Sequence, residues 1–330
     1  MQVVILGAGA LGSILGGYFA DAGARVTLIA RKPHADAIRT RGLVIDGVRG
    51  RRRVQGLEAT DDPAAVTSAD LLMLCTKSYD TAPALAAAGH LKGRVGAALS
   101  LQNGGRKDEE LAQAFGAEAV VGAMTLVGGA LVEPGVVQHT NDGGTWIGEF
   151  DGRRTPRVAA IERLYRDAGL RLEVVRDIRS ATWCKLNQMV PAALLSCLTR
   201  LPIHEIYLED RLARLFVELS REVGAVAPHV GVALEDFPGF AVKTVCMLPF
   251  ETAVESIQAR GRLMRDRGMT QVKISTLQDL ERGKRTEAEH VIGHVVRLAV
   301  QHKVHVPKLE LLYRILQGLE AAQRPAPAQA

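Results

Sequence analysis

The stretch Val3–Gly12, VVILGAGALG, decides the fold of this chain. It joins a short apolar run, typical of a buried strand, to a helical pattern that extends from about Ala10 to Ala22. At the junction the glycines have the spacing GxGxxG, in which the first permits a tight turn, the second lets the backbone approach a diphosphate, and the third allows close helix–strand packing. Free N–H groups at the helix start favour the anion. The residues of this predicted dinucleotide site are Gly7, Ala8, Gly9, Ala10, Leu11 and Gly12.

A structural turn without a ligand is the alternative, and the strand–turn–helix context argues against it.

The end of the second predicted strand, Arg25–Ala30, indicates which dinucleotide is bound. NAD-binding units place an acidic residue about twenty residues after the glycines, whereas this chain has Arg31 and Lys32 there. A guanidinium can hold a 2′-phosphate through paired, charge-assisted hydrogen bonds. We therefore expect NADP(H), with Arg31 as the main contact and Lys32 as a helper; two solvated loop cations are the alternative.

Strand and helix patterns alternate through the first half of the chain, which predicts βαβ units and a Rossmann-type, doubly wound parallel sheet. The further strands are predicted at Leu71–Thr76, Ala97–Gln102 and Val120–Leu126, with helices at Thr81–Ala88 and Lys107–Phe115. Two stretches are typical of hairpins. Asp46-Gly47 is a tight-turn pair between apolar flanks, and in residues 133–150 two β-like runs flank the turn Asn-Asp-Gly-Gly, which predicts antiparallel strands that close the domain.

After about Asp177 helical periodicity dominates, so we predict an all-helical C-terminal domain. Its helices are predicted at Ser180–Leu195, Glu209–Val223, Phe240–Arg260, Thr286–His302 and Lys308–Ala322. The predicted domains are residues 1–177 and 178–322. The Pro/Ala-rich tail, residues 323–330, is predicted to be disordered.

Composition excludes several classes of protein. A chain of 330 residues with 47% hydrophobic residues is globular and long enough for two cores. Four scattered cysteines, the absence of a basic N-terminal region and the short uncharged run Val120–Val132 predict a cytoplasmic protein with reduced thiols and no membrane span. The cluster Arg49–Arg53 lacks interleaved aromatics, so a solvated strand face, with a minor role in attracting the cofactor, is favoured over nucleic-acid binding. His290 and His294 share a helix face without an HExxH motif, and we expect no metal.

Hydride transfer to a carbonyl needs a proton donor, and a substrate carboxylate needs polar or cationic partners. Predicted strands end near Lys77 and Asn103, where a doubly wound sheet collects its functional residues. Lys185 lies near the start of the first helix of the second domain and is a candidate to face the cofactor.

With these residues the chain resembles the ketopantoate reductase (2-dehydropantoate 2-reductase) family over nearly its whole length. The resemblance rests on ILGAGALGS, Arg31, the TK of Lys77, the QNG of Asn103, the WxKL around Lys185, and STLQDLERGKRTE with Ser275 and Glu287. It implies NADPH-dependent reduction of a 2-oxo acid to a 2-hydroxy acid. In the family's main reaction ketopantoate becomes (R)-pantoate, a step of pantothenate and coenzyme A biosynthesis.

The resemblance also implies roles for individual residues. Lys185 would be the general acid, and Glu287 would bind substrate hydroxyls or orient that lysine. Ser275 would hold the substrate carboxylate. Lys77 and Asn103 would line the nicotinamide end of the site and contact both cofactor and substrate. The oligomeric state stays open, a homodimer being one alternative.

The chain departs from the family pattern on the helix that carries the lysine. Members usually have Asn one turn after the lysine and again a turn later, where this chain has Met189 and Ala193; Val272 stands where Asn often precedes the serine. A less polar pocket favours a second hypothesis, a paralogous reductase of another 2-oxo acid or carbonyl compound. A third, from another class, is a non-catalytic NADP(H)-binding or redox-sensing protein, which would not need Lys185 and Glu287.

Overall fold

The computed structural model describes residues 1–237 and 239–323. The chain divides into a first unit, Met1–Arg179, and a second unit that begins at Ser180, two residues after the predicted start at Ile178. Most of the tail predicted to be disordered, residues 324–330, lies outside the described residues, and Gln323 ends a helix.

The first unit alternates strands and helices in the order predicted. Its strands are β1 (Gln2–Leu6), β2 (Arg25–Ile29), β3 (Leu43–Gly47), β4 (Arg52–Val54), β5 (Glu58–Thr60), β6 (Ala69–Leu74), β7 (Val95–Ser100), β8 (Gly122–Thr125), β9 (Gly128–Glu133), β10 (Val136–Asn141), β11 (Thr145–Gly148) and β12 (Leu172–Val174). Its helices are α1 (Ala10–Asp21), α2 (Lys32–Arg41), α3 (Thr81–Ala87), α4 (Lys107–Phe115) and α5 (Pro156–Asp167).

The central sheet has the strand order β5-β2-β1-β6-β7, and every neighbouring pair is parallel. From β1 the chain continues to β2 on one side and returns to β6 on the other, so the topological switch point lies beside the turn after β1. This confirms the predicted Rossmann-type sheet, but the run predicted at Val120–Leu126 forms β8 of a separate sheet, where it is antiparallel to β11.

Burial on both faces explains why the strand sequences are continuous apolar runs. Along β1, Val3 and Ile5 belong to one hydrophobic cluster, whereas Val4 and Leu6 belong to the cluster on the opposite face. Helix α1 packs against the first face through Ile14, Leu15 and further buried residues of the same cluster. The Gly7–Gly12 turn is thus built between rigid elements.

The hairpin predicted at Asp46-Gly47 forms, but with a longer loop. β3 and β4 are antiparallel, and the last registered pair is Ile45 with Arg52. Gly47 is not a central residue of the turn: it ends β3 alongside β10, where an added Cβ would lie 2.1 Å from the carbonyl oxygen of His139. The glycine is therefore needed because two backbones approach closely, which the local sequence does not show.

The second predicted hairpin, residues 133–150, is wrong as a pair. β10 pairs with β9 and β3, while β11 pairs with β8 and β12, so the two runs belong to different sheets. The turn between them is held by the segment that follows β8. Leu126 donates from its N–H to the carbonyl of Gly144 at 2.8 Å and accepts from the Asn141 amide at 2.6 Å.

Within residues 180–237 and 239–323 the second unit is helical apart from one ladder of two-residue strands. Its helices are α6 (Ile178–Thr199, which begins in the first unit), α7 (Ile203–Leu208), α8 (Asp210–Val226), α9 (Val242–Met247), α10 (Phe250–Asp266), α11 (Ser275–Glu281), α12 (Ala288–Gln301) and α13 (Pro307–Gln323), and its strands are β13 (Asp236–Phe237) and β14 (Phe240–Ala241). The single helix predicted over Phe240–Arg260 is wrong. It breaks before Pro249, since the residue before a proline favours an extended backbone.

The basic cluster Arg49–Arg53 is partly packed rather than fully solvated. The guanidinium carbons of Arg49 and Arg52 lie 5.3 Å and 4.8 Å from the centroid of the buried Tyr18 ring. Arg49 also pairs with Asp142 at 2.9 Å and donates to the carbonyl of Gly169 at 2.8 Å. The expectation of a solvated face is therefore wrong for these two arginines, which join the hairpin to α1.

Two further expectations concern the whole chain. The four cysteines are unbridged. None of the helices within the described ranges is long and apolar enough to cross a membrane.

Candidate active site

The glycine turn is formed at the carboxyl edge of the parallel sheet, directly after β1. Gly7 has a φ of +89° and an added Cβ would lie 2.7 Å from the backbone nitrogen of Thr76, so only glycine fits. The N–H groups of Gly7 and Ala8 both donate to the carbonyl of Ile29, at 3.0 Å and 2.8 Å. The turn is therefore fixed to the end of β2, the strand that carries the predicted selector of the dinucleotide.

The other two glycines differ in what surrounds them. An added Cβ at Gly12 would lie 2.7 Å from the side chain of Ile5, as close packing of α1 on β1 requires. At Gly9 nothing of the protein lies within 4 Å of an added Cβ. Protein packing thus gives no reason for glycine at this position, which is the N-cap of α1 and has no side-chain cap. Open space at an uncapped helix N-terminus fits a diphosphate.

Arg31 follows β2 and is the N-cap of α2. Its guanidinium lies 3.2 Å from the carboxylate of Asp80, in the turn after β6, and Lys32 pairs with Asp36 at 3.5 Å. Both cations are largely exposed. They stand at the same edge of the sheet as the glycine turn, where a bound dinucleotide would place its adenosine ribose.

Lys77 and Asn103 follow the strands β6 and β7, which are parallel neighbours in the sheet. Both residues therefore lie at the carboxyl edge too, on the other side of β1 from Arg31.

Gln102, a residue that sequence reasoning missed, links the two loops that carry Lys77 and Asn103. Its buried side-chain amide nitrogen lies 3.0 Å from the carbonyl of Thr76 and 2.7 Å from the hydroxyl of Thr81, while its oxygen accepts from Ser100 at 3.1 Å. An amide directly after an apolar strand was the available signal, because a buried polar side chain needs partners.

The remaining candidates lie in the second unit. Lys185 is on α6 and half-buried, and Glu287 is the buried N-cap of α12. Ser275 is the first residue of α11 and is exposed. Leu186, Leu277 and Ala288, each next to or near one of these residues in sequence, belong to one hydrophobic cluster. The three polar residues are thus carried by helices that share a core.

The stripe of α6 that carries Lys185 continues through Met189 and Ala193, since residues four apart share a helix face. Ala193 is buried. The neighbouring amides do not replace the asparagines that are usual on this face. Asn187 donates to the carbonyl of Ser220 at 2.8 Å, and Gln188 donates to the Tyr207 hydroxyl at 3.1 Å. The pattern expected from the sequence, amides directed to other faces of α6, is the one observed.

A cavity of about 330 Å³ lies within the second unit beside these amides. Its lining includes Asn187, Gln188, Phe216 and Arg260 but none of Lys185, Ser275 and Glu287, so it is not the candidate active site. Among the described residues, no group of three or more His, Cys, Asp or Glu side chains could hold a metal ion.

A five-stranded parallel sheet with a glycine turn after its central strand defines the Rossmann class of dinucleotide-binding proteins. The particular family follows from sequence. Residues 3–152 match the family ketopantoate reductase PanE/ApbA, and residues 177–320 match its C-terminal part. The chain belongs to the ketopantoate reductase family and is an oxidoreductase.

Relatives match the chain from end to end. A 2-dehydropantoate 2-reductase of Pyrococcus horikoshii is 31% identical over 97% of this chain and 98% of its own, and one of Halobacterium salinarum is 32% identical over 94% and 96%. The crystal structure of a PanE/ApbA family ketopantoate reductase from Ralstonia eutropha JMP134 is 31% identical, covers 98% of this chain and 99% of its own, and has a TM-score of 0.82. Both units therefore have counterparts in the family.

Proposed function

We propose that the chain catalyses the NADPH-dependent reduction of 2-dehydropantoate (ketopantoate) to (R)-pantoate, a step of pantothenate and coenzyme A biosynthesis. The observation that carries the proposal is the end-to-end match to curated relatives of that name, in a chain that keeps Lys185 and Glu287.

The choice of NADPH rests on the carboxyl edge of the sheet. Gly9 leaves space for the diphosphate at an uncapped helix start, and Arg31 follows the adjacent strand, to which the turn is bonded through Ile29. A guanidinium at that point favours a 2′-phosphate over a free hydroxyl. Lys32, one residue further on, adds a second positive charge.

The chemistry is proposed for five side chains. When bound, NADPH would supply the hydride. Lys185 donates a proton to the carbonyl oxygen of the substrate as negative charge develops there. Glu287 orients the ammonium of Lys185 or accepts from a substrate hydroxyl, and Ser275 donates to the substrate carboxylate. Lys77 and Asn103, in the loops that Gln102 joins through Thr76 and Thr81, bind the nicotinamide end and the substrate.

A second candidate function is reduction of another 2-oxo acid. Met189 and Ala193 favour it, because they place a thioether and a methyl group on the helix stripe of Lys185. An apolar stripe discriminates weakly between alkyl groups but gives no hydrogen bond to the hydroxyl of ketopantoate.

The test is NADPH oxidation followed by absorbance, with ketopantoate compared against 2-oxo acids that lack its hydroxyl and carry alkyl or aryl groups instead. The proposal predicts the highest kcat/KM for ketopantoate. A higher value for an analogue without the hydroxyl would establish the second function. NADPH binding without turnover of any 2-oxo acid would identify a non-catalytic NADP(H)-binding protein.

A further inference from the structure

We propose that His34 is a positioning residue. Through its hydrogen bond to Ser13, it fixes the position of Arg31, the proposed 2′-phosphate contact, relative to the glycine turn that is proposed to bind the diphosphate. The proposal rests on the assignment of NADPH as the cofactor.

His34 lies in the first turn of α2 and is 4% exposed, with both ring nitrogens in hydrogen bonds. Nδ1 accepts from the backbone N–H of Gly135 at 2.9 Å, and Nε2 lies 2.9 Å from the hydroxyl oxygen of Ser13. A backbone N–H can only donate, so in the neutral ring the proton is on Nε2, and the imidazole donates to Ser13. Burial lowers the pKa of His34, which favours this neutral form.

Ser13 links His34 to the glycine turn by hydrogen bonds. Its hydroxyl is fully buried and donates to the carbonyl of Ala8 at 3.4 Å. Its backbone N–H donates to the carbonyl of Gly9 at 3.0 Å, as the first turn of α1 requires. The serine is thus bonded to Gly9, beside which lies the open space assigned to the diphosphate, and to the preceding residue, Ala8.

On its other side, His34 is hydrogen-bonded to Arg31. The backbone carbonyl of Arg31 accepts from the N–H groups of His34 at 2.9 Å and Ala35 at 3.1 Å. The side chain of the N-cap residue makes no capping bond, and the imidazole provides a hydrogen bond from this first turn to α1. The backbone from which the Arg31 side chain leaves is thus linked through His34 to Ser13.

A merely structural role would lower stability without changing cofactor selection, and the chain contains a matched control. His139 is also buried in the first unit, and its Nδ1 lies 3.0 Å from the hydroxyl of Tyr18, another residue of α1. That pair contacts neither the glycine turn nor Arg31 in its hydrogen bonds. Tyr18→Phe removes the hydroxyl and keeps the ring.

The experiment measures dissociation constants for NADPH and NADH by nicotinamide fluorescence, together with kcat and Tm. Ser13→Ala should weaken NADPH binding about fivefold, as expected for one lost hydrogen bond, with a smaller effect on NADH and an unchanged kcat. His34→Asn, whose amide is too short to reach Ser13, should behave like Ser13→Ala. His34→Gln places an amide nitrogen near the position of Nε2 and should restore most of the NADPH preference.

Tyr18→Phe should lower Tm and leave the ratio of the two dissociation constants unchanged. The positioning role is overturned if Ser13→Ala and His34→Asn keep the wild-type ratio, or if Tyr18→Phe shifts it as much as they do. A wild-type chain without preference for NADPH would instead overturn the cofactor assignment and, with it, the role of His34. Wild-type preference with unchanged variants would overturn the positioning role alone.

Discussion

Arg31 and Asp80 form an ion pair of 3.2 Å between the loops that follow β2 and β6, the two strands on either side of β1. Their side chains are 87% and 40% exposed, so the pair adds little to stability. Its importance lies in its position. A 2′-phosphate bound by Arg31 would have to replace a carboxylate that already holds the guanidinium.

Asp80→Asn should therefore tighten NADPH binding, about threefold if the pair has the strength of an ordinary exposed ion pair, and leave NADH binding unchanged. Asp80 precedes α3 but gives it no side-chain cap, so the helix should not suffer. Fluorescence titration with both nucleotides measures the effect. Asp151→Asn, which removes another exposed carboxylate paired with an arginine, is the control. Weaker binding of NADPH would show that Asp80 supports the site.

Arg31→Asp should reverse the preference between NADPH and NADH. Loss of a charge-assisted hydrogen bond raises the KM for NADPH by roughly ten- to a hundredfold, whereas the new carboxylate can accept from the ribose hydroxyls of NADH. Arg25→Asp changes the same charge at the opposite end of β2 and should alter neither KM. An unchanged ratio of kcat/KM for the two nucleotides would exclude Arg31 as the selector.

Lys185→Ala should lower kcat by roughly 10² to 10⁴, the usual contribution of a general acid, with little change in NADPH affinity. Lys308→Ala, an exposed lysine of the same unit, should retain wild-type turnover. Steady-state assays with ketopantoate give kcat, and fluorescence titration gives the affinity. Wild-type turnover in Lys185→Ala would show that another group donates the proton.

Gln102→Leu should lower kcat/KM as well as stability, because the loops that carry Lys77 and Asn103 lose their shared amide. The cost in stability is about 1–3 kcal/mol for the carbonyl and hydroxyl left without a partner. Asn141→Ala also removes an amide-to-carbonyl bond, to Leu126, and should affect stability alone. If Gln102→Leu lowers Tm but keeps kcat/KM, Gln102 has no role in placing the two residues.

The sequence predicted four of the five strands of the central sheet because they are largely apolar runs, and it missed β5, whose sequence is Glu-Ala-Thr. It predicted α4 at the observed bounds and α1 to within one residue of its end. It failed where long-range contacts decide the backbone. Gly47 has the sequence of a tight turn, but the approach of β10 determines its conformation. The runs around Asn141–Gly144 alternate like a hairpin, but each has partners elsewhere in the chain.

In the candidate site, too, local sequence predicts some residues, whereas long-range contacts determine others. Motifs predicted the residues proposed here to bind a ligand, such as Gly9 and Arg31, because ligand chemistry restricts residue type locally. Gln102, Ser13 and His34 were missed since their partners are distant in sequence: the imidazole of His34 meets Gly135 101 positions away. A buried polar residue signals that a partner exists, without saying which one.

Glu149 and Arg157 give a prediction about pH. The carboxylate of Glu149, which follows β11, accepts from Arg157 of α5 at 2.7 Å and 2.8 Å and from Thr155 at 2.5 Å. The bonds from Arg157 hold the pKa of Glu149 below its usual value of 4.5. A lowered carboxyl pKa stabilises the folded state above the unfolded-state pKa, and this stabilisation is lost as the pH falls through the folded-state pKa.

Glu149→Gln should therefore lower the free energy of unfolding by about 2 kcal/mol at neutral pH and by much less in acid, measured by urea denaturation at both pH values. Asp266→Asn, at an exposed carboxylate beside Arg265, is the control, and an equal loss at both pH values in Glu149→Gln would mean that packing rather than charge holds α5.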